Sequence, residues 1–588
     1  MSKSPTIQAA QEALQKYWNF VDFRPKQKEV ITSVLEGRNV IALLATGGGK
    51  SLCYQVPALL YEGVTIVVSP LISLMEDQVA SLKKRNIKAE ALHSGHSYHS
   101  IDRIMDNCIY GDIKILYVSP ERLLHDVFKT RVQSMNVSLI AIDEAHCISQ
   151  WGHDFRPSYL KIPELLKALP SPQVIALTAT ATKDVLEEIQ KEVLSKESVI
   201  IRDSFKRSNL SISLHSSEDK MQDVVDIVSG KEKTIVYARS RRNVQMIAET
   251  LANHGINSRH YHAGLAYKEK KKIQEEFTAG KFQCIAATNA FGMGIDVADI
   301  RHVIHYDIPP SIEEYYQEIG RAGRDGATSK ATLLLSKSNI SYAKRRVTEV
   351  FPDFDLAAKM YKSLHVYYDI GLHEGLGVVK PLHQKDLAKS IGSTLKEVYQ
   401  VLSLWQKLGV LETSQELKAS TYIKVIYTPS EFRKARDRYP KLHTTVDFLM
   451  RHYEYLFTGW IKLSIDQDLR KLKITKSTYD EQLQSLVSLD IIRLYRLPAG
   501  YMIGFIEDRI SNRQIDHFLP KYKQLKGLAI KRWEGVDTYL QTEVCRMQGI
   551  LSYFGEESST CGSCDICKGD IVINSPSSIS NQADLEVR

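Results

Sequence analysis

Between Asn39 and about Leu335, short runs of β-branched and apolar residues alternate with longer amphipathic stretches, and this alternation restricts the fold to parallel sheets covered by helices. The strand candidates are Val40 to Leu44, Thr65 to Ser69, Ile113 to Ser119, Leu139 to Ile142 and Val174 to Thr178. After a gap near Arg202 to Ser216 they resume with Thr234 to Tyr237, Gln283 to Ala287, His302 to Tyr306 and Ala331 to Leu335. The gap implies two sheets with a boundary near residue 208. A chain of 588 residues is too long for one core, so further modules are expected beyond the second sheet.

Thr46-Gly47-Gly48-Gly49-Lys50-Ser51 follows the first apolar run and precedes a helical stretch, where the N–H groups of a glycine loop and a helix N-terminus can hold phosphate. The glycines permit a backbone approach that a Cβ would block, Lys50 would reach the β- and γ-phosphates, and Ser51 would ligate Mg²⁺. Leu44 stands where the general pattern has its first small residue, so the strict spacing is not met. Asp143-Glu144-Ala145-His146 follows Leu139 to Ile142 and puts two carboxylates at the C-terminal end of a strand, where parallel sheets bind ligands. Asp143 would hold Mg²⁺, and Glu144 would act as the general base that orients the attacking water. In the second region, Gln317, Gly320, Arg321 and Arg324 fall in one run, and guanidiniums can stabilise charge on a transferring phosphoryl group. Each run alone could be an ordinary turn, but each supplies what the other two lack.

Four of the eight cysteines, Cys545, Cys561, Cys564 and Cys567, crowd together near the end of the chain. Four thiolates match a closed tetrahedral site for structural Zn²⁺, with iron–sulfur chemistry as the competing reading. Disulfides are disfavoured because Met1 to Ala10 carries no secretion signal. The 43% hydrophobic and 25% charged content, without an apolar run near the roughly twenty residues of a membrane span, predicts a soluble protein of the cytoplasm or nucleoid with no membrane partner. The net charge of +8 is compatible with polyanion binding and decides little alone.

Beyond Ile340, Asp386 to Gly392, Ser393 to Leu408 and Gly409 to Leu411 read as helix, turn, helix and first wing strand, with Tyr422 to Thr428 as the return strand. A second copy is expected in Ile465 to Leu472, Thr475 to Leu489, and the strands Ile491 to Tyr495 and Tyr501 to Ile506 flanking the turn Arg496 to Gly500. Helical spacers are the alternative for both.

Over residues 17 to 335 the chain resembles superfamily-two DEAH-box helicases and, among them, the RecQ family. Phe20, Arg24 and Gln27 look like the adenine-recognition motif. Gln27 can hydrogen-bond the adenine edge, and Phe20 or Arg24 can stack on its face. Val67 to Leu71, Ala176 to Ala181, Val236 to Ser240, Tyr261 to Leu265 and Thr288 to Asp296 look like further helicase motifs. The most family-specific run, His146 to Tyr159, resembles an aromatic-rich loop, in which Trp151, His153, Phe155 and Arg156 would contact DNA at roughly 1 to 3 kcal/mol per stacked base, the alternative being that Trp151 and Phe155 anchor the loop in the core. The cysteine cluster, with Tyr553-Phe554-Gly555-Glu556 beside it, looks like the RecQ zinc-binding subdomain.

The resemblance implies an α/β protein of two tandem RecA-like parallel-sheet lobes followed by mostly helical winged-helix and zinc-binding modules. The expected domains are motor lobes at 1–208 and 209–340, winged-helix-like domains at 341–435 and 436–512, a helical hairpin with the zinc subdomain at 513–569, and a disordered tail at 570–588. In the usual arrangement the zinc subdomain directly follows the second lobe, whereas here both winged-helix candidates come first. No C-terminal helical module is expected after Cys567.

The implied activity is ATP-driven 3′ to 5′ movement on single-stranded DNA and unwinding of duplex or branched DNA in repair and recombination. ATP, Mg²⁺ and structural Zn²⁺ would be the cofactors. Single-strand-binding and recombination proteins are expected partners, and the oligomeric state is taken as monomeric. An ATP-gated clamp that does not unwind, and an RNA helicase, are the rivals.

Overall fold

The computed structural model describes residues 5–569 apart from 46, 94–97, 125, 150–151, 153–155, 171, 195–197, 231, 293–296, 414–419, 454–455, 458–459 and 498–500. The predicted tail at 570–588, with the site residues Thr46, Trp151, His153 and Phe155, lies outside the described residues. The chain divides into one unit of residues 1–349 with 524–588, and a second of 350–523.

The first unit holds both parallel sheets. In the first, β1 (Val40–Leu43), β2 (Val64–Val68), β3 (Ala89–Leu92), β4 (Ile115–Val118), β5 (Val137–Ile142), β6 (Gln173–Thr178) and β7 (Val199–Arg202) lie in the order β3-β4-β2-β5-β6-β1-β7. In the second, β8 (Leu210–Ser216), β9 (Thr234–Tyr237), β10 (Ser258–Tyr261), β11 (Cys284–Ala287), β12 (His302–His305) and β13 (Ser329–Leu335) lie in the order β10-β11-β9-β12-β13-β8. The central strands are buried along their length, as a sheet covered on both faces requires. In the gap that the sequence pattern leaves from Arg202 to Ser216, β8 occupies the C-terminal part.

The order of the first sheet brings the site together. β6 lies between β1 and β5, so the loops leaving the C-terminal ends of all three open onto one crevice. The glycine loop follows β1, the acidic pair follows β5, and Ala179-Thr180-Ala181 follows β6.

The second unit holds two three-stranded antiparallel sheets, and its strand pairing corrects the sequence reading. β14 (Val379–Leu382), β19 (Tyr501–Phe505) and β15 (Leu411–Thr413) form one sheet, with Leu411 opposite Phe505 and Thr413 opposite Ile503. β17 (Trp460–Leu463), β16 (Ser420–Val425) and β18 (Ile492–Leu497) form the other. The expected return strand after Leu411 is therefore not the following run, Tyr422 to Thr428, but β19. Likewise β18 and β19, expected to pair across Arg496 to Gly500, belong to different sheets. Burial explains the exchange, because Ile423 and Val425 pack with Phe432, Val446, Leu449 and Leu483 in a core of their own. The second helical pair, Ile465–Leu472 and Lys476–Ser488, is thus nested between β15 and β19. The first pair, Gln384–Ile391 and Leu395–Leu408, precedes β15 and turns at Gly392, whose φ of 65° suits a residue without a Cβ.

Candidate functional site

In the crevice of the first sheet, Lys50 Nζ lies 3.4 Å from Glu144 Oε1, both side chains being about one-seventh exposed. Ser51 is the N-cap of the helix Leu52–Leu60 and brings a hydroxyl to the same helix end. Asp143 is buried, and burial together with the neighbouring Glu144 carboxylate pushes its carboxyl up to about 7 against the opposing pull of Lys50. A buried carboxylate so poorly compensated is a fitting partner for a divalent cation. Glu144 itself sits at φ 46°, ψ 49°, a left-handed conformation that costs a residue with a Cβ about 1–3 kcal/mol and recurs at functional sites.

The glycine loop is held from the N-terminal side. Arg24 Nη1 donates to Gly47 O at 2.7 Å, and Gln27 Nε2 donates to Gly48 O at 2.9 Å and Gly49 O at 3.2 Å. Gln27 Oε1 meanwhile accepts from Arg24 N at 2.9 Å. Gly49 has φ 73°, and a Cβ there would stand 2.2 Å from Gln27 Nε2, so this contact requires glycine. The predicted adenine-recognising amide is thus engaged by the phosphate loop, so nucleotide binding at one place would be felt at the other. Phe20 is 53% exposed, which leaves its ring open to stack on a base.

A chain of polar contacts leads from Glu144 to the second sheet. His146 Nδ1 lies 3.4 Å from Glu144 Oε2 and 2.9 Å from Thr178 Oγ1. Thr178 Oγ1 donates to Thr180 O at 3.2 Å, and Thr180 Oγ1 accepts from Gln317 Nε2 at 3.3 Å. His146, Thr178 and Thr180 fall inside sequence motifs that assign them no role, because their meaning lies in a contact between distant loops.

Gln317 belongs to the helix Ile312–Ile319, and Arg321 and Arg324 follow in the turn beyond it. The two arginines sit differently. Arg324 passes over Gly47, so that a Cβ on Gly47 would be 3.3 Å from Arg324 Cγ. Arg321 is 6% exposed and tucked beneath Gly292, where a Cβ would meet its Nη2 at 2.9 Å. Of the aromatic-rich loop, Arg156 Nη1 donates to Pro70 O at 2.6 Å, which ties the loop to the end of β2. Gly152 O accepts from Arg532 Nη2 at 2.7 Å, and a Cβ on Gly152 would stand 2.1 Å from His146 O.

Cys545, Cys561, Cys564 and Cys567 place their sulfurs within 4.8 Å of one another, with 3.9 Å between Cys564 and Cys545 and 4.0 Å between Cys561 and Cys567. Tetrahedral zinc with Zn–S near 2.3 Å requires sulfurs about 3.8 Å apart, so the set fits the ion. Burial alone would raise the Cys561 thiol, but hydrogen bonds from Ser563 and the neighbouring groups hold it down to about 6, whereas burial pushes the Cys545 and Cys564 thiols up. The cluster docks on the edge of the second sheet. Leu214 N donates to Asp565 Oδ2 at 2.9 Å, Ser211 Oγ donates to Ser563 O at 2.6 Å, and Arg546 Nε reaches Asp565 Oδ1 at 3.0 Å. The module displaced along the sequence therefore returns to the second lobe in space and covers β8, an edge strand.

Residues 24–189 match the DEAD/DEAH box helicase model and residues 219–326 the helicase conserved C-terminal domain. Residues 505–568, which contain all four cysteines, match the RecQ zinc-binding model. Together these segments support a RecQ-family helicase. RecQ relatives described as ATP-dependent DNA helicases include those of Pasteurella multocida, 40% identical over 347 residues, and Bacillus subtilis, 44% identical over 338 residues. These alignments cover 59% and 57% of this chain and 55% and 57% of the relatives. A probable ATP-dependent DNA helicase, RecS of Bacillus subtilis, is 41% identical over 330 residues, covering 55% of this chain and 66% of its own length. The chain thus matches little more than half the length of the RecQ relatives. Among the described residues no helix is long and apolar enough to cross a membrane.

Proposed function

We propose that this RecQ protein is an ATP-dependent DNA helicase that moves 3′ to 5′ on single-stranded DNA and opens duplex or branched DNA in repair and recombination. The observation that carries the reading is the run of close polar contacts from Lys50 and Glu144, by way of His146, Thr178 and Thr180, to Gln317, which supports a single hydrolytic centre built from both sheets. In this reading Lys50 and the N–H groups of Thr46 to Ser51 hold the phosphates, while Phe20, Arg24 and Gln27 hold the adenine. Ser51 and Asp143 would hold Mg²⁺, which would neutralise phosphate charge. Glu144 orients water and accepts its proton, and its carboxylate is released for that task when Lys50 turns to the phosphates. Arg324, already over the glycine loop, stabilises charge on the transferring phosphoryl group, and Arg321 supports it from within the second lobe.

Trp151, His153, Phe155 and Arg156 are assigned to single-stranded DNA, and the Gly152 contact with His146 supports a short route from that loop to Glu144. The nested helical pairs of residues 350–523 are read as two winged-helix modules that hold the duplex. Cys545, Cys561, Cys564 and Cys567 would hold a structural Zn²⁺ that would brace the module against β8. Nucleoid location, a monomeric state, and single-strand-binding and recombination proteins as partners complete the proposal.

Unwinding of fluorescently labelled duplexes with a 3′ or a 5′ single-stranded tail, with Mg²⁺ and ATP and Glu144→Ala as control, tests the reading. Opening of the 3′-tailed duplex alone, lost in the variant, is expected. ATP hydrolysis stimulated by DNA without opening of either duplex would replace the helicase by a clamp, and stimulation by RNA alone would replace the substrate.

A further inference from the structure

The connector between the two sheets, residues 203–209, carries none of the motifs above, yet it clasps the arginine turn. Arg207 donates through Nη1 to Gly320 O at 3.3 Å and through Nη2 to Ala322 O and Gly323 O, both at 2.9 Å. Its Nε donates to Asn209 Oδ1 at 3.2 Å, and Asn209 Nδ2 in turn donates to Gly323 O at 2.8 Å and Ala327 O at 2.9 Å. Gly323 has φ 61°, and a Cβ there would stand 2.5 Å from Asn209 Nδ2, so the clasp leaves no room for a side chain. Three carbonyls that flank Arg321, those of Gly320, Ala322 and Gly323, are therefore set by one planar guanidinium, whose donors are fixed relative to one another.

The same connector is gripped from the other side by the zinc module. Phe205 N donates to Glu556 Oε2 at 2.9 Å, and Ser204 Oγ donates to Glu556 Oε1. The Phe205 ring stacks on Phe554 with centroids 4.7 Å apart and planes 19° apart. Phe205 O accepts from Tyr316 OH at 2.8 Å, and Tyr316 is the neighbour of Gln317. Phe554 and Glu556 lie between the helix Arg546–Tyr553 and Cys561, so their placement depends on the four-cysteine fold.

We propose that Arg207 is a positioning residue for the arginine turn, and that the zinc module, through Glu556 and Phe554, fixes the connector from which Arg207 acts. The proposal rests on the helicase reading, since it assigns the turn to phosphoryl transfer. It gives the zinc module a task in hydrolysis besides stability, namely holding Arg324 in register with the glycine loop.

The test uses the full chain and two readouts, DNA-stimulated ATP hydrolysis and the affinity for ADP–aluminium fluoride compared with ADP. Arg207→Ala is expected to lower DNA-stimulated kcat about tenfold or more, with KM for ATP within about twofold, because the lost contacts act on the transition state. It should weaken the fluoride complex while sparing ADP. Arg207→Lys, able to reach fewer carbonyls, should recover part of the loss. Glu556→Ala should move both readouts in the same direction at unchanged zinc content. Glu556→Gln should restore them, since its Oε1 can accept from Phe205 N while its Nε2 donates to Ser204 Oγ. Wild-type kcat and fluoride affinity in Arg207→Ala or in Glu556→Ala would overturn the proposal. Should Arg207→Ala fail to fold, Arg207→Lys and the Glu556 pair decide on the same readouts. A wild-type protein without DNA-stimulated hydrolysis would instead remove the helicase reading.

Discussion

Gln317 Nε2 donates to Thr180 Oγ1 across 3.3 Å, hydrogen-bonding the helix that leads into the arginine turn to the loop that leaves β6. The contact ties a residue of the second sheet to the end of the path from Glu144. Gln317→Ala should therefore slow DNA-stimulated hydrolysis by roughly tenfold while leaving nucleotide binding near wild type. Steady-state kinetics with and without single-stranded DNA check this, and an unchanged stimulated rate would leave the bond without a role.

Lys50→Ala removes the cation beside Glu144 and the predicted phosphate ligand together. Hydrolysis should fall by about a thousandfold or more, with circular dichroism unchanged. Residual turnover near wild type would detach the glycine loop from catalysis.

Gly152→Ala would force a Cβ to within 2.1 Å of His146 O, a backbone atom that cannot swing aside. The variant should lose about 2 kcal/mol or more of stability, or shift His146 and with it Glu144. Thermal melting and basal ATP hydrolysis distinguish the two, and a variant normal in both would show the loop to be more yielding than its packing.

Cys564→Ser should abolish stoichiometric zinc and lower Tm, because the metal's binding free energy is also folding free energy for the module. Hydrogen exchange should rise at Ser211 and Leu214 on β8, whose partners Ser563 and Asp565 flank Cys564. Full zinc content in the variant would mean that another ligand set holds the ion.

His302 is buried on β12, its Nε2 2.8 Å from Thr332 Oγ1, and burial followed by Lys330 pushes its imidazole down to about 4. The folded state keeps the ring neutral while the unfolded chain takes up a proton near 6.5. Stability should therefore be unaffected by this residue above neutrality, decline as pH falls from about 6.5 to about 4, and decline no further from this source below that. The total is about 3 kcal/mol, to be read as the slope removed by His302→Gln in urea titrations across that range.

The central strands were legible in the sequence because both their faces are buried and their residues are nearly all apolar, as in Ile140 to Ile142 and Ile235 to Tyr237. In the two parallel sheets, the four described strands that were missed, Ala89–Leu92, Val199–Arg202, Leu210–Ser216 and Ser258–Tyr261, are the four edges. Edge strands face fewer neighbours and tolerate polar residues such as Glu90, Arg259 and His260, which blur the pattern. The phosphate loop, the acidic pair and the cysteine cluster were readable because each is contiguous or closely spaced. The part played by Thr180 and Arg207 was not, since both act through loops more than a hundred residues away. The wings misled for a related reason. Adjacent strands usually pair, but here the neighbours in sequence are claimed by different cores.

The antiparallel pairing of Leu411–Thr413 with Tyr501–Phe505 has an architectural consequence. The stretch from 414 to 500 leaves after β15 and re-enters at β19, two adjoining strands of one sheet, so it has the form of a graftable cassette. Its excision would ask only that a tight hairpin turn join Thr413 to Tyr501, while its own core of Ile423, Phe432, Val446, Leu449 and Leu483 would leave with it. A family of such proteins could gain or lose the inner module in a single genetic step without disturbing the host sheet that frames it.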